Sequence, residues 1–349
     1  MVRIGITISK FDEYDRFKFC NGCQQHAYMM YMFYREQGMD AWIISDCKSY
    51  DRVRNCNEDL SDFDIFISAG LIANLEKLYP TKYHIKFEIG NRVIHWYYKS
   101  LNDRKTNSCN IRRNFNETWV LQHHYDHCPH MYKHLYPGST IKRAPFFWNP
   151  VSVKDITGLL PISNNNISIG ILEPNLTSDK ACLIPILICE SFYKKYPALL
   201  DSVYVFNTES MKSNPSFVNF CKQLTLNIDK KISFEGRWSF SKIMKNHCNV
   251  IVSHQQNCDC NFLYFESLYF NIPLIHNAKS IKGGGFYYPD FDVEEGTRQL
   301  HKVASDFKSA DSKVRNDKII REYSLTHNEK RKSFYLDLPS IKKDRISVG

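Results

Sequence analysis

The chain has 349 residues, 43% of them apolar and 14% aromatic, and carries 46 Lys and Arg against 37 Asp and Glu, a formal net charge of +9. Such a length and apolar content exclude extended disorder and point to two packed cores of roughly 150–170 residues each. The positive excess suits a phosphate-bearing ligand but is too small to require a nucleic acid.

No stretch at the start, "MVRIGITISKFDEYDRF", is apolar and long enough for a signal peptide, and no span elsewhere reaches membrane length. The expectation is a cytoplasmic protein with no membrane partner. Twelve cysteines scattered through both halves then read as free thiols, and the N-x-S/T matches at Asn116, Asn166 and Asn175 as chance.

In chain order, "VRIGITIS" (2–9) is a buried strand, followed by the polar loop "KFDEYDRFKFCNGCQQ". A helix ending at Gly38 leads into the strand "AWIIS". Further strands are expected at "FDIFISAG" (63–70), "RVIHWYY" (92–98) and "TWVLQHH" (118–124), with the extended segment "TIKRAPFFWNP" (140–150) closing this half. A linker, "VSVKDITGLLPISNNN", precedes a second cycle.

That cycle opens with the strand "ISIGILEPN" (167–175) and the proline-containing helix "KACLIPILICESFYKKYP". The strand "SVYVFNT", the helix "FVNFCKQL", the strand "ISFEG", the helix "SFSKIMKNH" and the strand "CNVIVSH" follow. Next come a helix around Glu266, the strand "PLIHN", a flexible loop "GGGFYYPDFDVEEG" and a charged helical segment from about 297 to 335. Strands alternating with helices imply parallel sheets with right-handed crossovers. The expected fold is α/β, two tandem Rossmann-like doubly wound domains. The first covers 1–150, the second 151–315, and a helix with a basic tail covers 316–349.

In such sheets ligands bind beyond the carboxyl ends of the strands. In the second half the segments there are "EPNLTSDK", "NTESMKSNPS", "EGRWS", "SHQQNCDCN" and "HNAKS". All five are polar, which favours a ligand cleft between two facing halves over structural loops. No G-x-G-x-x-G follows the first strand and no P-loop occurs, so an NAD enzyme or a nucleoside triphosphatase is not indicated. Glu266 itself is conspicuous, a carboxylate within "FLYFESLYF". Buried among aromatics it costs several kcal/mol unless it is paired or faces a cleft.

The stretch "FEGRWSFSKIMKNHCNVIVSHQQNCDCNFLYFESLYFNIPLIHN" resembles the donor half of glycosyltransferases of the two-Rossmann GT-B fold. "EPN", "IPILICE", "FEGR", "VSHQ" and "YYPDFD" more closely resemble a bacterial glycosyltransferase-like family of unknown function. This likeness covers 167–296 well and 1–150 loosely. The order of elements is also similar to that of bacteriophage glucosyltransferases acting on hydroxymethylcytosine in DNA.

The resemblance implies a nucleotide-sugar co-substrate and no other cofactor. It implies that Glu266 accepts hydrogen bonds from the donor's ribose hydroxyls, and that Arg237 and Lys180 neutralise its diphosphate. Asn175, Asn207, Ser253, His254, Gln255, Asn257 and Asn261 would lie against the sugar or the phosphates. The glycine-rich turn usual before the Glu is replaced here by "QQNCDCN".

An inverting transferase needs a base in the first half. The candidates are Asp126, then His95, with His124 and Asp103 also in place. "HHYDHCPH" (123–130) matches no common zinc spacing and Cys20 and Cys23 form one isolated C-x-x-C. A D-x-D occurs at 62–64, where it reads as structural, and again at 290–292, and the resemblance to GT-B enzymes implies no bound metal. A hydroxymethylated base in double-stranded DNA and a glycan are the two acceptor readings. The rival class is a binding protein that holds the nucleotide sugar without turnover.

Overall fold

The computed structural model describes residues 2–9, 11, 22–49, 51–69, 74–102, 114–150, 153, 156–161 and 166–339. The chain divides into two compact units. One comprises Met1–Ser152 together with Glu322–Gly349, and the other Val153–Arg321. No helix among the described residues is long and apolar enough to cross a membrane.

The first unit holds a seven-stranded parallel sheet. Its strands are β1 (Arg3–Thr7), β2 (Asp40–Ser45), β3 (Val53–Asn55), β4 (Ile65–Ser68), β5 (Tyr83–Glu88), β6 (Glu117–Leu121) and β7 (Thr140–Ala144). Their spatial order is β3-β2-β1-β4-β5-β6-β7. The central strands are covered on both faces, so β4 and β6 are buried along their whole lengths, as strands flanked by helices must be.

Three expectations for this half need correction. The run at 92–98 is not a strand but the start of the helix Arg92–Asn102. Its aromatic and β-branched content imitates a strand, yet Ile94, Tyr97, Tyr98 and Leu101 fall at i, i+3, i+4 and i+7. Asn91 starts it, Oδ1 accepting from the Ile94 N–H at 3.3 Å. The strand at 118–124 stops at Leu121, and Gln122–His127 turns helical. Two short strands with polar positions, β3 and β5, were not anticipated; β5 fills the place given to 92–98.

The last segment, expected as a helix and tail apart from both domains, is counted with the first unit. In its helix Glu329–Leu336, Tyr335 is fully buried against Phe87, Trp119 and Phe147. Tyr34 donates its hydroxyl to the Tyr335 carbonyl at 3.0 Å. Arg331, from the "EKRK" run that composition alone would leave in solvent, is only 11% exposed. It donates to the Phe146 carbonyl at 2.6 Å and lies over the Tyr323 ring.

The second unit holds six parallel strands: β8 (Ile167–Ile171), β9 (Leu200–Val205), β10 (Ile232–Phe234), β11 (Val250–Val252), β12 (Leu274–His276) and β13 (Phe286–Tyr287). Their order is β10-β9-β8-β11-β12-β13. Its core joins the sheet to the helices Leu183–Lys195 and Val293–Asp306. Pro185 costs the first of these nothing, because it lies in the opening turn where the N–H has no intrahelical partner. The two helices pack closely at Gly296, where an added Cβ would come within 2.6 Å of Ile188. The segment at 283–287, expected as a flexible loop, contains β13. Gly285 makes that edge strand possible, with φ +57 and the Leu274 carbonyl 2.8 Å from where a Cβ would stand.

Candidate functional site

The order of strands reverses between β8 and β11, since β9 lies on one side of β8 and β11 on the other. The crevice beyond the carboxyl ends of those two strands is where open α/β sheets take ligands. The segments there are 172–182, after β8, and 253–261, after β11 and leading into the helix Phe262–Tyr269.

The first segment is built by asparagines. Asn175 adopts φ 54, which Asn tolerates better than most residues. Its Nδ2 donates to the Glu173 carbonyl at 3.0 Å, while its Oδ1 accepts from the Cys182 N–H at 2.9 Å. Asn207, at φ 59, donates to the Leu172 and Glu173 carbonyls at 3.2 and 3.1 Å. Both side chains are therefore committed to shaping the backbone around Glu173.

Glu173 is fully buried at the end of β8. Its Oε1 accepts from the Ser253 hydroxyl and from the His254 N–H, the latter at 3.1 Å, and its Oε2 has no hydrogen-bond partner. Burial pushes its carboxyl up to about 7 against these bonds and against nearby Lys180. For Lys180 burial works downward, but Cys258, Asp179 and Glu173 together hold the ammonium above its ordinary value. Lys180 is thus a cation set among Asp179, Glu173 and Cys258.

The second segment is a closed polar network. The Ser253 hydroxyl lies 3.1 Å from that of Tyr264. The His254 Nδ1 is 2.9 Å from the Tyr288 hydroxyl, which itself donates to the Ser253 carbonyl at 3.0 Å. Gln255 donates to Asp259 at 2.7 Å and accepts from the Cys258 N–H at 2.6 Å. Asn277 closes the turn through both the N–H and the carbonyl of Gln255. Asn257 is exposed at φ 55. Asn261 precedes the helix without capping it by its side chain. Arg237 is exposed beyond β10.

Glu266 is 7% exposed on the helix Phe262–Tyr269. Among the described residues its carboxylate makes no hydrogen bond and no ion pair, and burial alone pushes it up to about 7. It is neither paired within the core nor turned to bulk solvent. Of the residues expected around the donor, Ser253, Gln255, Asn175 and Asn207 have their side chains bonded within the fold. Glu266 and Lys180 retain the chemistry to meet a ligand.

In the first unit, Asp126 is half-exposed and held by Arg143 through two bonds of 2.7 and 2.6 Å. His124 is buried with Nε2 3.1 Å from the Ile89 carbonyl, and His95 is exposed on the helix Arg92–Asn102. Asp103 and Cys20 lie outside the described residues. Of the two D-x-D pairs, Asp62 and Asp64 bind Arg3, while Asp290 pairs with Lys279 and Asp292 caps the helix Val293–Asp306. Sequence reasoning passed over Glu173, Tyr288 and Phe291. The place of Glu173, at the end of the first strand of a restarting cycle, was a usable signal, and Tyr288 and Phe291 stand in "YYPDFD", one of the motifs that carry the resemblance.

A family model described as "Protein of unknown function (DUF2827)" matches residues 4–338. The chain belongs to this family. No curated protein matches it. Among solved structures, an alpha-glucosyltransferase in complex with UDP and a 13-mer DNA containing an HMU base is similar to the DUF2827 chain, with a TM-score of 0.64 and 13% identity over 96% of this chain and 99% of that one. Sucrose-phosphate synthase from Thermosynechococcus elongatus aligns over 100% of both chains with a TM-score of 0.61 and 8% identity. S. aureus TarM, in a complex that includes UDP, aligns over 78% of this chain and 55% of its own, with a TM-score of 0.53 and 10% identity. At these identities the likeness is one of fold, and the fold of the DUF2827 chain is that of the GT-B glycosyltransferases.

Proposed function

We propose that this DUF2827 protein is a glycosyltransferase that takes a sugar from a nucleotide-sugar donor bound at the carboxyl edge of the second unit's sheet. The observation that carries this reading is Glu266, a buried carboxylate with no partner among the described residues. Leaving such a group unsatisfied costs several kcal/mol, which the paired hydroxyls of a ribose would offset as donors to an ionised acceptor. Lys180 supplies positive charge for the diphosphate, and Arg237 is a second cation. Fixed cations there stabilise the charge that grows on the leaving group. The fold shared with glycosyltransferases whose complexes contain UDP supports the same reading.

For the acceptor, the likeness to an enzyme seen with HMU-containing DNA and the net charge of +9 favour a hydroxymethylated base over a glycan. Binding without transfer is the second reading, and the ion pair that occupies Asp126 favours it.

The test is thermal stabilisation by UDP, ADP and GDP and their hexose conjugates, followed by transfer of radiolabelled sugar to hydroxymethylated and to unmodified DNA. Stabilisation by one nucleotide is expected, weakened about 10- to 100-fold in affinity in Glu266→Ala, since bonds to a charged group contribute about 1.5–3 kcal/mol. No response to any nucleotide would sink the donor site. Binding with no transfer to any acceptor would favour the second reading.

A further inference from the structure

The network at the end of β11 fixes the protonation of one imidazole. The Tyr288 hydroxyl has a single hydrogen and gives it to the Ser253 carbonyl, 3.0 Å away, because a carbonyl can only accept. The His254 Nδ1, 2.9 Å from the same hydroxyl, must therefore be the donor of that bond. In the neutral ring the proton then resides on Nδ1 and Nε2 carries only a lone pair. Burial keeps the ring neutral, holding it down to about 4. His254 is 4% exposed, and its Nε2 has no partner. A bare buried acceptor costs about 1–3 kcal/mol and calls for a reason.

Two further features mark the place. Glu173, which receives the His254 N–H, also has an unpartnered buried oxygen, so two buried polar atoms without partners belong to adjoining residues of the switch-point crevice. Beside the imidazole, at a ring separation of 4.6 Å, stands Phe291, a phenyl ring 54% exposed to solvent. Its neighbour Asp290 has φ 45 and belongs to the turn that follows β13. An acceptor beside an exposed aromatic face suits a ligand that is polar at its rim and apolar on its flat side.

We propose that His254 and Phe291 form the subsite for the sugar of the donor. There Nε2 accepts a hydrogen bond from an uncharged donor, a hydroxyl or an acetamido N–H, and Phe291 covers the sugar's C–H face. This rests on the donor-site reading above and gives it a specificity device. A lone pair with no proton rejects an acceptor-only group at the same position, as a site built for a hydroxyl rejects the analogue lacking it. The pair would therefore distinguish sugars by one hydroxyl or amide, while contributing little to a bare nucleoside diphosphate.

Two measurements test the subsite. In the ligand-free protein, ¹⁵N NMR of the histidines should show His254 protonated on Nδ1 and bare on Nε2 at pH 7; a proton on Nε2 would overturn the assignment. Calorimetry then compares UDP, ADP and GDP with their hexose and N-acetylhexosamine conjugates in the wild type, His254→Phe and Phe291→Ala. Phe291 is exposed, so its variant should fold even if loss of the Tyr288 bond unsettles the other. The expected result is a sugar conjugate that binds about tenfold more weakly to either variant while the bare diphosphate binds as before. If conjugate and diphosphate weaken together, or neither weakens, the pair does not meet the sugar and the subsite is wrong although the donor reading stands. If no nucleotide binds the wild type, both fall.

Discussion

The two units share a plan, a parallel sheet whose strand order reverses beside its first strand, yet they spend their polar groups differently. In the second unit, the segments after β8 and β11 carry Glu173, Lys180 and His254, with one oxygen of Glu173 and the Nε2 of His254 buried without a partner among the described residues, and Glu266 follows on the helix Phe262–Tyr269. In the first unit, Asp126 is held by Arg143, Glu88 by Arg92 and Tyr136, and the His124 Nε2 by a backbone carbonyl, although the buried Tyr132 hydroxyl and His84 Nδ1 make no hydrogen bond. Orphaned polar atoms mark a place prepared for a ligand, whereas a satisfied network marks a place prepared for stability.

The strongest way to break the comparison is to remove the anchor of the first unit. Tyr335→Ala deletes a fully buried ring between Phe87, Trp119 and Phe147, and should cost about 3–5 kcal/mol in denaturant unfolding. A loss below 1 kcal/mol would show that the terminal segment is dispensable to the unit it is counted with.

The second unit should reveal itself through pH. Glu173 and Glu266 are raised to about 7 by burial, from an ordinary value of 4.5. Between those limits the folded state holds protons that the unfolded chain has released, so each group makes stability fall as pH rises from about 4.5 to about 7. Glu266→Gln or Glu173→Gln removes that fall. Each variant should gain up to about 3 kcal/mol over wild type at pH 8 and nothing at pH 4. His254, held down to about 4, acts in the opposite direction between 4 and 6.5, so the difference between variant and wild type is the quantity to read. Equal stability at pH 8 would mean that these carboxyls are better solvated than the packing implies.

The smallest effect is expected at Asp126. Its pair with Arg143 is half-exposed, and Asp126→Asn should change stability by less than about 1 kcal/mol. Turnover is the informative readout. A transfer rate lowered about 100-fold or more with stability unchanged would support Asp126 as the base.

What could be read ahead of the coordinates follows physical lines. "ISIGI" and "FDIFIS" announce strands because both faces of a parallel sheet are buried. Glu266 stood out because its neighbours are aromatic and its own charge is not. The strand Tyr83–Glu88 was missed because His84 and Lys86 break its apolar pattern, and it survives through tertiary bonds such as the Asn116 side chain to the His84 N–H at 2.7 Å. The helix at 92–102 was missed because aromatic residues satisfy strand propensity and helical periodicity at once. The polarity of "SHQQNCDCN" was legible, but not which of its residues are committed internally. That depends on Asn277 and Tyr288, which lie 22 and 34 residues beyond the loop residues they bond and reach the loop only through the sheet.

The return of the chain to its first unit has a consequence for biogenesis. Tyr34 and Tyr335 share a hydrogen bond across 301 positions of sequence, while the whole of the second unit lies between them. A ribosome therefore finishes the second unit while the first still lacks its closing helix, with Phe87 and Trp119 awaiting the ring that will shield them. Nascent chains should mature from the middle outward, and truncation shortly before Glu329 should yield an aggregation-prone product whose second unit is nonetheless intact.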